Sequence, residues 1–112
     1  MSYFTEIGKR RSLRLRAPME PAERTARVNE FAGRVKPLLA AYDAQTSWDE
    51  QYLTITRFME ILYTHPHTAW FLANFPHFRT AAAEKCREFL ASDACGPALR
   101  MLILAIQARF GL

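Results

Sequence analysis

The sequence predicts an all-α protein: a compact four- to five-helix bundle preceded by a basic, extended N-terminal arm. Three observations carry that prediction. Apolar residues recur at spacings of three and four along most of the chain. Prolines stand where those periodic stretches begin. Residues 20–112 contain no convincing strand pattern, internal repeat or low-complexity tract.

The chain divides into residues 1–19, the arm, and residues 20–112, a single helical domain. With 112 residues, 50% of them apolar, one modest core is within reach. In the arm, Leu13 and Leu15 alternate with Arg14 and Arg16. Period two is that of an extended segment, with leucines on one side and arginines on the other. Pro18, Glu20 and Pro21 end it. Pro21 suits a first helical turn and Glu23 favours the positive end of the helix dipole. Val28, Phe31, Val35, Leu38 and Tyr42 then form one stripe on a helix from about Pro21 to Tyr42. Pro37 falls inside it and predicts two pieces with a bend near Arg34 to Pro37.

Ser47 and Glu50 have the spacing of a capping box and predict a second helix, ending near Thr64. Its face is Tyr52, Ile55, Met59 and Leu62, with Phe58 and Ile61 beside them and Thr54, Arg57 and Glu60 mostly opposite. A short aromatic helix follows from Pro66 to Phe75. Pro76 opens another to about Leu90, with Phe78, Ala82, Cys86 and Phe89 inward. The last helix, about Pro97 to Phe110, is apolar nearly all round. That predicts either a central position or a face toward a second chain, hence a homodimer. Gly111 is placed to cap it in the left-handed conformation.

Charge is distributed unevenly. Residues 1–36 hold nine Lys and Arg against four Glu, a net of +5; residues 37–112 hold six against seven acids, a net of −1. A concentrated basic segment points to an anionic partner. No stretch reaches the length of a membrane span or a signal peptide, which predicts a cytoplasmic protein without a membrane partner. Cys86 and Cys95 are too few for a disulfide framework and are expected as free thiols.

Two groups of residues are candidates for chemistry. His65, His67, His77, Cys86 and Cys95 are of metal-ligating type, but their spacing matches no zinc motif, and a helix junction is a usual place for capping histidines. Cys86 as a nucleophile is opposed by its place on an apolar face. The aromatic run Trp70, Phe71, Phe75, Phe78 is either a core corner or a docking surface, and the adjacent Trp70 and Phe71 point about 100° apart. Asp43, Asp49 and Glu50 form no catalytic pair. A Gly-rich phosphate loop, a Ser nucleophile elbow and a His-Glu-x-x-His motif are all missing.

The expectation is a small non-enzymatic protein-binding regulator, adaptor or inhibitor with no metal or other cofactor. Phage and mobile-element regulators include proteins of this build, a prior at class level only. The contact residues expected are Arg10, Arg11, Arg14, Arg16, Arg24, Arg27, Trp70 and Phe71. Nucleic-acid binding, or inhibition of a nucleic-acid enzyme, through the Arg/Lys-rich residues 9–36 is the alternative. It is opposed by the absence of a helix-turn-helix with a basic reading face. A His/Cys metal-binding protein is the second alternative.

Overall fold

The computed structural model describes residues 19–112; Arg10, Arg11, Arg14 and Arg16, and with them the extended-arm reading, lie outside the described residues. Five helices make up the described chain: α1 Pro21–Ala44, α2 Trp48–Thr64, α3 Thr68–Asn74, α4 Pro76–Ala91 and α5 Pro97–Phe110. No strand occurs among the described residues.

Their directions follow from contacts at their ends. The α1–α2 turn returns the chain so that Glu30 of α1 reaches His65 and His67, just past the end of α2. Trp48 at the start of α2 stacks on Phe89 near the end of α4, while Phe58 meets Phe78 near its start. The beginning of α5 lies at Tyr52 and its end at Tyr63, so α2 and α5 run the same way. The result is an up-down-up-down bundle of α1, α2, α4 and α5, with the short α3 crossing at one end.

One core fills the bundle. Phe31 and Val35 enter it from α1, Ile55, Phe58, Met59 and Leu62 from α2, Phe71 and Leu72 from α3. Ala82, Cys86 and Phe89 of α4, Cys95 of the following loop, and Leu99, Ile103 and Ile106 of α5 complete it. In α1, α2 and α4 these residues fall on the predicted stripes, at the spacings that put them on one face.

Four local expectations need correction. Helix α1 runs unbroken through Pro37. The proline cannot bond the Gly33 carbonyl, but both residues are exposed, and water can serve that carbonyl. The buried or half-buried residues Phe31, Val35, Leu38 and Tyr42 hold the helix on either side.

Ser47 is the N-cap of α2, yet its side chain makes no capping bond. Gln45 ties down the loop instead: its carbonyl accepts from Gln51 Nε2 at 3.0 Å and its Oε1 accepts from Thr54 Oγ1 at 2.9 Å. That bond explains why Thr54, expected on the wet face, is buried. Pro66 does not start α3. His65–His67 form a turn in which the Thr68 amide donates to the His65 carbonyl at 3.4 Å, and the helix begins at Thr68.

Of the two places expected for α5, the central one is excluded. Leu99, Ile103 and Ile106 face inward, whereas Met101 is 72% and Leu104 50% exposed. Gly111 closes α5 as expected, at φ 68°, and the Leu112 amide donates back to the Gln107 carbonyl at 3.0 Å.

Candidate docking groove

Neighbouring helices in the bundle pack closely at three seams: α1–α2, α2–α5 and α4–α5. At the fourth, α1 and α4 meet through aromatic rings. Phe31 and Phe78 lie edge to face at 5.6 Å between ring centroids, and Tyr42 meets Phe89 at 6.0 Å. Large rings hold the two helices apart, and a groove of about 360 Å³ opens between them. Ala32, Val35, Lys36 and Leu39 of α1 form one wall. Phe71 and Phe75 form the floor, and Pro76, His77 and Phe78 of α4 the other wall. Apart from Lys36 and His77, every lining side chain is apolar, and no carboxylate lines the groove.

The floor is held rigidly. Phe71 stacks on Phe75 at 4.3 Å and packs against Phe31 at 4.5 Å and Phe78 at 5.1 Å. At the groove's α3 end, Phe75 meets Trp70 edge to face. Over both rings lies the Arg24 guanidinium, 5.6 Å from Trp70 and 5.3 Å from Phe75. Arg27 also covers Trp70, at 5.6 Å, and pairs with Glu23 at 2.9 Å. Cation–π contact leaves the edge of a guanidinium free for a carboxylate.

Arg24, Arg27 and Trp70 are thus brought together, and Trp70 is half-buried. Phe71 is 7% exposed and serves as core and floor, not as an outward-facing contact. The sequence reading missed Ala32, Lys36, Leu39 and His77 as lining residues. The first three flank the buried stripe of α1 rather than belong to it, and only the width of the α1–α4 seam exposes them to a common space.

At the junction of α2 and α3 the histidines hydrogen-bond backbone and pair with an acid, the structural role expected of them there. Glu30 holds two of them, with Oε1 3.6 Å from His65 Nε2 and Oε2 3.3 Å from His67 Nε2. The His67 amide donates to His65 Nδ1 at 3.1 Å. That bond places the His65 proton on Nε2, facing Glu30. A metal ion at Nε2 would need the proton moved to Nδ1, against the amide. No group of three metal-competent side chains is present among the described residues. Cys86 is fully buried among core residues, and burial pushes its thiol up to about 11, which opposes a nucleophilic role.

A second, polar depression of about 490 Å³ lies between α1 and α2, lined by Gly33, Arg34, Pro37, Leu38, Arg57, Glu60, Ile61 and Thr64. It holds two cations and one acid and has no buried polar side chain directed into it.

Comparison with protein-family models, with curated proteins and with solved structures gave no match. No helix of the described residues is long and apolar enough to cross a membrane.

Proposed function

We propose that this chain is a non-enzymatic protein-binding module, a small regulator, adaptor or inhibitor that takes a segment of its partner into the α1–α4 groove. The observation that supports this reading most directly is the groove itself. Preformed apolar concavities with a few charged groups at the rim are where binding energy concentrates. Trp70 and Arg24 at one end are of the residue types enriched at binding hot spots. The exposed Met101 and Leu104 on α5 belong to the same reading as the place where a second copy would add, and sedimentation at micromolar concentration checks it.

The test compares three proteins as bait in lysate of the native source. Ala32→Glu puts a long charged side chain on the groove wall. Ala40→Glu, at an exposed position of the same helix, is the control. Melting curves establish that all three fold. Proteins retained by the unmodified chain and by Ala40→Glu, and lost with Ala32→Glu, are groove partners. Identical retention by all three would end the groove reading.

A further inference from the structure

We infer that the groove's occupant is an amphipathic helix of about four turns from another protein, flanked by acidic residues. The inference rests on the docking reading above and specifies its partner. Three observations lead to it.

The first is the polarity of the lining. Between Ala32 and Leu39 on one wall and Pro76 to Phe78 on the other, side chains offer almost no hydrogen-bonding group. An extended peptide laid there would bring backbone amides and carbonyls that nothing satisfies. A helix satisfies its own backbone and presents only side chains. The same lining argues against a nucleic acid, since base edges need donors and acceptors.

The second is shape. The groove is a seam between two helices running in the same direction and propped apart by Phe31, Phe71 and Phe78. A third helix fits such a seam by setting its ridge of side chains between them. The α1 wall of the groove, Ala32 to Leu39, is about 10 Å long, and Arg24 over Phe75 lies about 12 Å further along the helix, so an occupant that meets both spans about 22 Å, roughly four helical turns.

The third is charge. Arg24 at one end and Lys36 on the wall have no carboxylate within salt-bridge distance among the described residues, and His77 is exposed beside them. No carboxylate is among the lining residues, and Glu23, the acid beside Arg24 in the chain, is paired with Arg27 at 2.9 Å.

Charge also separates the possible occupants. The chain's own residues 9–16 carry five Lys and Arg and no acid, so like charge opposes the entry of that segment. The α5 face of a second copy brings Arg100 and Arg109 and no acid. An acidic-flanked helix complements the rim where both of these repel it.

The test is a display library of 16-residue helices built on one apolar stripe, with flanking positions varied among Glu, Gln and Lys, selected on the full chain. Selection is repeated on Ala32→Glu and on the double variant Arg24→Glu/Lys36→Glu, whose exposed positions leave the core untouched. Expected is enrichment of Glu-flanked helices, binding about five- to ten-fold tighter than their Gln counterparts at low salt. That preference shrinks at 0.5 M salt and turns to Lys on the double variant, and all binding is lost on Ala32→Glu. Gln- or Lys-flanked helices enriched equally on the unmodified chain, and lost on Ala32→Glu, would overturn the acidic partner while leaving the groove reading intact. Failure to enrich any helix that Ala32→Glu rejects would overturn both. A single-stranded oligonucleotide that competes for the groove and is rejected by Ala32→Glu would replace the helix with a nucleic acid.

Discussion

At His65 the two ring nitrogens are committed to different partners. Nδ1 accepts the His67 amide and Nε2 faces Glu30, while the ring packs edge to face on Phe31 at 5.1 Å. A second proton would have to sit on Nδ1, pointing at an N–H. Burial holds the His65 pKa below its ordinary 6.5; Glu30 pulls it up in part, and His67 and Arg34 push it down. The folded value lies below the unfolded one, so as pH falls through 6.5 the unfolded chain takes the proton first and stability declines. Above 6.5 this contribution is fully present. His65→Asn keeps a carbonyl to accept the His67 amide and removes the titration. Melting temperature between pH 7.5 and 5.5 is expected to fall less steeply in the variant than in the parent. Equal slopes would remove His65 from the account. One neighbour is unexplained: Thr68 Oγ1 is buried without a partner, and nothing in the structure accounts for it.

Among the elements, α5 shows what sequence pattern can and cannot resolve. Its existence and ends were legible, because Pro97 and Gly111 bracket an unbroken apolar run. Its buried face was not. Leu, Ile and Met fill every turn, so periodicity is lost, and only the packing of α2 and α4 chooses Leu99, Ile103 and Ile106. The α1 stripe, interrupted by Arg34 and Lys36, was legible for the opposite reason. Proline was a good marker of helix starts at Pro21, Pro76 and Pro97 and a poor one at Pro66, where His65 captures the next amide and makes a turn. Of the groove, Arg24, Arg27 and Trp70 were legible as residue types. Their meeting was not, because it depends on α3 folding back across α1. The α5 assignment yields a sharp contrast. Ile103→Ala, fully buried, is expected to cost about 2–5 kcal/mol in urea unfolding. Leu104→Ala, half exposed, is expected to cost less than about 1 kcal/mol. Equal losses at the two positions would mean that a partner, a second copy included, covers Leu104.

For the whole molecule, the decisive contrast is between a basic N-terminal third and a nearly neutral bundle. Among the described residues, the buried core begins at Phe31 and draws on all five helices. A chain truncated to residues 19–112 is expected to melt within about 3 °C of the full chain, with the same helix signal per described residue. It should also keep its affinity for groove-binding helices. A larger fall in melting temperature would place residues 1–18 within the fold, and a gain in peptide affinity would identify them as a competing occupant of the groove. The same pair of proteins tests the nucleic-acid alternative. Affinity for random-sequence DNA at low salt should be lower for the truncated chain, which loses five cations and one acid, and its salt dependence should be shallower. A truncated chain that binds DNA as tightly would remove residues 9–18 from the phosphate contact and leave it to cations of the bundle, of which Arg24, Arg27, Arg34 and Lys36 belong to the basic segment.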